Sequence, residues 1–98
     1  MEDPDAEPVA ISFDPNKRAK ILLERSLDLA DAGLVFAGMH VQILDDRKDY
    51  GEIRYRVFGY LRGRRVSLVW TPRDGTKRII TMRHAHHGEH EARIRTLD

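Results

Sequence analysis

The chain has 98 residues, 41% of them hydrophobic and 34% charged, which suffices for one small domain with a single core and excludes the large enzyme folds. It has no cysteines, so disulfides and thiolate metal sites are excluded. The formal charge of +1 hides an acidic half, with 11 Asp and Glu against 6 Lys and Arg in residues 1–49, and a basic half, with 11 Lys and Arg against 5 Asp and Glu.

The start of the chain predicts a flexible acidic tail over residues 1–11, followed by a single domain over residues 12–98. The tail has few apolar side chains, so burial cannot offset the entropy that ordering would cost. A secretion signal would need a basic region before an apolar run, and the acidic start lacks one. Without about 18 consecutive apolar residues, we expect a cytoplasmic protein that has no membrane partner.

A first helix is predicted from Pro15 to about Arg25. Asp14 can accept hydrogen bonds from the free amides of the first turn, and proline suits the first helical position because its missing N–H has no partner there. The spacing of apolar residues predicts that the inner side consists of Ala19, Leu22 and Leu23.

A second, shorter helix is predicted to end near Gly38. Asp28 can cap it, and Asp31 in its first turn favours the positive end of the helix dipole. Apolar residues recur with a helical period at Leu29, Ala32, Gly33 and Phe36. We therefore expect an amphipathic helix that covers part of the core.

The period then changes to two, which predicts four strands. They are expected at residues 40–44, 53–61, 66–71 and 77–84. Short turns over residues 62–65 and 72–75 predict antiparallel neighbours. Trp70 is interpreted as a core residue.

A short last helix is predicted over about residues 88–97, because Glu89 and Glu91 suit a first turn. The whole order indicates an α+β fold, in which two N-terminal helices pack on a four-stranded antiparallel sheet and a short C-terminal helix follows.

Strand alternation predicts a polar, open sheet face opposite the apolar residues, among which Ile80 and Met82 are counted. That face carries Arg54, Arg56, Ser67, Thr71, Thr81 and Arg83. The turn register places Arg54 near Arg73 and on the order of 20 Å from Arg83. Arg54 and Arg83 therefore cannot bind one phosphate together.

Three stretches of the sequence carry the pattern of a known family. They are Phe13-Asp14-Pro15-Asn16-Lys17 with Val35-Phe36, Gly51-Glu52-Ile53-Arg54 with Gly59, and Arg78-Ile79-Ile80-Thr81-Met82-Arg83-His84-Ala85 with Glu89. In this order and spacing the chain resembles, over about residues 11–94, the BrnT family of bacterial toxins, small ribonucleases of the RelE-like superfamily.

The resemblance implies a RelE-like fold, cleavage of RNA without a cofactor and inhibition of translation. It also implies neutralisation by a cognate, BrnA-like antitoxin, whose DNA-binding region represses the shared operon. Operator DNA would then be contacted only through the antitoxin. A homodimer within the complex stays open.

Metal-free RNA cleavage needs a base for the 2′-hydroxyl proton, cations for the scissile phosphate and an acid for the leaving oxygen. We predict Arg83 as the phosphate and transition-state stabiliser and His84 as an acid or base near neutral pH. The RNA-binding residues predicted at a greater distance are Arg54, Arg56, Arg78 and Tyr60.

Each of these side chains also has a simpler interpretation. The arginines could form a solvated sheet face or salt bridges to the acidic half, and His84 could be an ordinary strand-end residue. Phe58 and Tyr60 could contact the last helix or an antitoxin instead of stacking on bases.

Two further hypotheses stay open. Departures from the family pattern at Ile21, Gly88 and Arg93 favour a catalytically weakened homologue that acts mainly as the antitoxin's partner in an operon-repressing complex. The second hypothesis is a nucleic-acid-binding module without a toxin role.

A metal site is not predicted. His86 and His90 are four residues apart and would share one helix face, as zinc ligands can. Apart from Glu89, however, no acidic or cysteine ligand is spaced to complete the set.

Overall fold

The computed structural model describes residues 10–86 and residue 88. The elements in this part of the chain are, in order, β1 (Ile11–Phe13), α1 (Pro15–Arg25), a 3-10 turn (Leu29–Asp31), α2 (Ala32–Ala37), β2 (Val41–Leu44), β3 (Tyr55–Leu61), β4 (Arg64–Arg73) and β5 (Thr76–His84). The α+β class is as predicted. The last helix is predicted almost wholly on residues that lie outside the described ones. Neither α1 nor α2 is long and apolar enough to cross a bilayer.

The sheet has five strands in the order β1-β5-β4-β3-β2 and is mixed. Strands β2 to β5 form the predicted antiparallel meander, whereas β1 pairs with β5 in parallel. The prediction of four antiparallel strands is therefore wrong in detail. A three-residue strand is too short to show a period of two, so its sequence gave no signal.

Strand β1 also corrects the end of the predicted tail, because Ile11 lies in the sheet opposite Lys77. The Lys77 amide donates to the Ala10 carbonyl at 3.0 Å, and the Ser12 and Thr76 hydroxyls are 2.9 Å apart. Partners 64 residues away in the sequence hold this short edge strand.

Helix α1 has the predicted bounds and the predicted N-cap, with Asp14 Oδ1 accepting from the Asn16 amide at 2.9 Å. Its predicted inner side is wrong. Ile21 is its one buried residue, while Leu23 is 86% exposed. The helix contacts β5 and the 3-10 turn. Ile21 in the core and Arg25, which donates to the Met82 carbonyl, lie one turn apart on this side of the helix.

The second helical segment begins at Asp28, as predicted, with Asp28 Oδ1 accepting from the Ala30 amide at 2.9 Å. Its first turn is a 3-10 turn, and α2 ends at Ala37 with Gly38 as its C-cap, which confirms the predicted end near Gly38. Leu29 and Ala32 are fully buried, as the periodicity indicates, and Val35 completes this inner face instead of Gly33.

Both hairpin turns are tighter than predicted. The turn between β3 and β4 consists of Arg62 and Gly63, with φ of 47° and 80°, and that between β4 and β5 of Asp74 and Gly75, with φ of 52° and 74°. Positive φ at both central residues matches the twist of antiparallel strands, and glycine adopts it without steric cost. Strands β4 and β5 are therefore longer than predicted, and β4 includes Pro72. Strand β3 is shorter than predicted, because it begins at Tyr55 and not at Ile53.

A β-bulge at Ile80 changes which side chains of β5 reach the core. Val69 pairs with Thr81 and Trp70 with Ile79, so one residue of β5 is left over. Ile79 and Met82 are consequently buried, and Ile80, predicted on the core face, is not.

The core lies between the two helical segments and one face of β3 to β5. Its buried residues are Ile21, Leu27, Leu29, Ala32, Val35, Val57, Leu61, Val66, Leu68, Trp70, Ile79 and Met82. Gly59 allows α2 to approach β3, because a Cβ at that position would lie 2.8 Å from Val35 Cγ1. The prediction that Trp70 is a core residue is confirmed.

Candidate functional site

The candidate site lies on the sheet face that points away from this core, which we call the basic face. Alternation from the core residues assigns to it Arg56, Phe58, Tyr60, Arg65, Ser67, Val69, Thr71, Arg78, Thr81 and Arg83. Four of these are arginines, contributed by β3, β4 and β5.

Arg83 belongs to a row of three paired residues that runs across β5, β4 and β3. Arg83 pairs with Ser67, which in turn pairs with Phe58. Directly opposite residues have Cβ atoms about 5 Å apart, so the row is compact. Arg83 is half-buried, and its Nη1 donates to the His84 carbonyl at 3.2 Å. This partial burial limits the rotamers of the guanidinium and strengthens its field.

The neighbouring positions add further cations. Tyr60 pairs with Arg65 on one side of the row, and Arg56 pairs with Val69 on the other. All three polar side chains are half-buried. Arg65 was missed because the sequence assigns it to a four-residue turn, whereas the two-residue turn leaves it in β4.

The basic face is less open than predicted. Ser67 and Thr71 are 4% and 2% exposed, and the Thr71 hydroxyl donates to the Ile53 carbonyl at 2.7 Å. Phe58 is fully buried beneath the Arg56 guanidinium, whose carbon lies 5.1 Å from the ring centroid. Phe58 therefore has no free ring face for a base.

Arg54 lies before β3, in a connection that neutralises it. Its Nε donates to Glu52 Oε2 at 2.8 Å, and its guanidinium carbon lies 4.2 Å from the Tyr50 ring centroid. Glu52 Oε1 also accepts from Arg73 at 3.2 Å, which confirms the predicted proximity of Arg54 and Arg73. The hydrogen bond from Arg54 lowers the pKa of the Glu52 carboxyl.

Arg54 and Arg83 lie toward opposite ends of the sheet. Arg73, beside Arg54, is six residues along β4 from Ser67, the partner of Arg83. At about 3.3 Å per residue this is roughly 20 Å. The two arginines do not share one phosphate, as the sequence predicts.

His84 lies on the opposite face of β5 from Arg83, at the exposed end of the strand. Its Nε2 is 3.0 Å from the Arg25 carbonyl, the last residue of α1. Arg25 Nη1 donates in turn to the Met82 carbonyl at 2.8 Å. These two contacts connect the end of α1 to the end of β5.

The described residues contain no group of three His, Cys, Asp or Glu side chains that could hold a metal ion. His86 is exposed, and His90, its partner in the zinc hypothesis, lies outside the described residues. Arg78, the remaining predicted RNA-binding residue, is half-buried opposite Thr71 near the far end of β5.

The loop after β2 contains the most buried carboxylate of the described ion pairs. The Asp45 side chain is 1% exposed, and its two oxygens accept from Arg47 Nε at 2.7 Å and Nη2 at 2.8 Å. This bidentate contact lowers the pKa of the Asp45 carboxyl from 3.8 to about 2. The loop that carries Tyr50, Glu52 and Arg54 is thereby anchored.

We expect Asp45→Asn to lower the free energy of unfolding at pH 7 by about 2 kcal/mol. Because folding depresses this pKa, the contribution is present above pH 4 and is lost as the pH falls toward 2. Urea denaturation at pH 7 and at pH 2.5 measures it. The exposed neighbour Asp46, changed to Asn, is the control. Equal pH profiles for Asp45→Asn and the wild type would contradict the assignment.

Comparison with known families decides the class of this chain. The family described as "Ribonuclease toxin, BrnT, of type II toxin-antitoxin system" matches residues 13–89. The chain belongs to the BrnT family. No curated protein matches the chain.

Membership of the BrnT family makes the chain a ribonuclease-toxin homologue with an antitoxin as its partner class. The matched segment includes both helices and strands β2 to β5, and therefore the whole basic face. All the residues predicted for the site lie within it.

Proposed function

We propose that the chain is an endoribonuclease that cleaves RNA without a metal ion and so inhibits translation. The family match over residues 13–89 carries the proposal. The basic face supports it, because it gathers arginines from three strands around Arg83. Such a face can bind a polyanion and stabilise charge that develops on a phosphate.

In the proposed reaction a base removes the 2′-hydroxyl proton, and O2′ attacks the adjacent phosphorus. The P–O5′ bond breaks, and an acid supplies a proton to O5′. The products are a 2′,3′-cyclic phosphate and a 5′-hydroxyl end. Arg83 acts as the stabiliser, since its planar fork binds two phosphate oxygens at once.

His84 is proposed as the base. The Arg25 carbonyl can only accept, so His84 Nε2 carries the proton in their hydrogen bond. In the neutral ring, Nδ1 then holds a lone pair at an exposed strand end. Because His84 and Arg83 lie on opposite faces, the scissile linkage must lie at the end of β5, where one phosphate and the 2′-hydroxyl next to it can reach both side chains.

The other predicted residues would bind the RNA strand on either side of the scissile phosphate. Arg56 and Tyr60 flank Arg83 on the basic face, and Arg78 lies farther along β5. Arg54 would act at the periphery, because Glu52 already neutralises it. Arg65 joins this set from the structure.

We propose a BrnA-like antitoxin as the neutralising partner, with operator DNA bound only through that antitoxin and a homodimer allowed within the complex. The cytoplasm, where RNA is translated, is the proposed location. These proposals follow from the type II class of the family.

The second candidate is a weakened homologue that acts mainly by binding the antitoxin. The pairing of Arg54 with Glu52 and the burial of Phe58 favour it, because both remove contacts that RNA could use. Cleavage itself separates the two candidates.

The test is incubation of the purified full chain with end-labelled RNA in a metal chelator. We expect cleavage that leaves 2′,3′-cyclic phosphate ends and that is abolished by 2′-O-methylation of the RNA. Induced expression should arrest growth, and co-expression of the antitoxin should restore it. Intact RNA and unaffected growth, with antitoxin binding retained, would refute the nuclease and support the second candidate.

A further inference from the structure

A cationic cleft lies at the sheet edge, well away from Arg83. It encloses about 190 Å³ and is lined by Asp14, Lys17, Arg73, Arg78, Ile79 and Ile80. The three cations come from three different elements, namely α1, β4 and β5. The positive charge of the cleft therefore comes from side chains of several elements and not from one helix terminus.

The backbone path creates this cleft. Strand β1 pairs with β5 as far as Phe13 and Ile79, after which the chain leaves the sheet at Asp14 to enter α1. Strand β5 bulges at the next residue, Ile80. The divergence of α1 from a bulged strand leaves the space between them.

The charges that face the cleft are mainly positive. Asp14 is the one acidic residue of its lining, and its Oδ1 is occupied by the Asn16 amide. Arg73 shares Glu52 with Arg54 through a 3.2 Å contact. In the described part of the chain, Lys17 and Arg78 form no ion pair or side-chain hydrogen bond. Two cations are thus available to an anion in the cleft.

We propose that this cleft binds a backbone phosphate of the RNA strand, separate from the phosphate at Arg83. The inference rests on the proposed function. Arg78 and Arg83 are five residues apart on β5, and the bulge absorbs one of them. The separation along the strand is about 13 Å, so a longer RNA spans both positions and a dinucleotide does not.

The test measures binding of a fluorescent, uncleavable 2′-O-methyl oligoribonucleotide to the full chain by anisotropy. We expect Lys17→Gln and Arg78→Gln each to raise Kd about tenfold, equally for different base sequences, because phosphate contacts carry no sequence information. The dependence of log Kd on log salt should fall by about 0.7 for the phosphate lost. Binding of a dinucleotide should not change.

Lys20→Gln is the matched control, since Lys20 is an exposed lysine of α1 that does not line the cleft. If Lys17→Gln and Arg78→Gln weakened RNA binding no more than Lys20→Gln does, the proposal would be overturned. So would variants that lose inorganic phosphate binding but keep oligonucleotide binding, because the cleft would then hold a free anion. The uncleavable probe separates this result from failure of the nuclease proposal, which a cleavage assay on the same variants reports.

Discussion

Replacing Arg83 by alanine is expected to slow RNA cleavage roughly 100- to 1,000-fold, the usual effect of removing one preorganised transition-state donor. Affinity for uncleaved RNA should change much less, because Arg83 is one of several cations on the basic face. Single-turnover cleavage measures the rate, and anisotropy with uncleavable RNA measures the affinity. Growth arrest should weaken in parallel.

Two variants show whether the guanidinium itself matters. Arg83→Lys keeps the charge but loses the planar fork, and we expect it to recover only part of the rate. Arg64→Ala removes an exposed arginine from the same end of the sheet but from the opposite face, so its rate should stay normal. Normal cleavage by Arg83→Ala, or an equal loss in Arg64→Ala, would refute the assigned role.

Local signals in the sequence predicted much of the fold. Asp14 before Pro15 and Asp28 before Leu29 are caps that act within a few residues, and the structure has both. The Asp74-Gly75 pair marks a tight turn for the same local reason. These signals act through immediate neighbours, and they located both helix starts and both turns, although each turn is two residues shorter than predicted.

Predictions failed where distant residues decide. Strand β1 needs β5, which begins more than 60 residues later, and α1 turns Ile21 inward because the helix packs against β5 and the 3-10 turn. The bulge at Ile80 shifts by one residue which side chains of β5 face the core. A strict period of two in the sequence does not predict such a shift.

The same distinction holds for the site. Alternation alone placed Thr81 and Arg83 on the basic face, and the turn register alone separated Arg54 from Arg83. The neutralisation of Arg54 by Glu52 depends on a loop conformation. Phe58 is fully buried, with the Arg56 guanidinium over its ring, and strand alternation does not predict such burial. The sequence therefore predicted which face carries the arginines but not how accessible each one is.

Trp70→Ala is expected to lower the free energy of unfolding by about 3–5 kcal/mol, as for other buried large-to-small changes. The indole stacks on Tyr55 with ring centroids 4.9 Å apart and contacts Phe36 edge-on at 6.2 Å. Its Nε1 donates to Gln42 Oε1 at 3.0 Å. The buried Lys77 ammonium lies 4.0 Å from the ring centroid. Removing the indole therefore leaves a cavity and also removes the cation–π contact of a buried charge.

Urea denaturation followed by circular dichroism measures this loss, because the variant lacks the chain's one tryptophan. Trp70→Phe keeps a ring against Tyr55 and Lys77 but leaves the Gln42 oxygen without its donor, so we expect a loss of about 1–3 kcal/mol. If Trp70→Ala cost no more than Trp70→Phe, packing around the ring would contribute little, and the core would have to depend on its aliphatic residues. The larger loss expected for alanine would show instead that one aromatic cluster holds the buried lysine of β5 and the edge strand β2 to the same core.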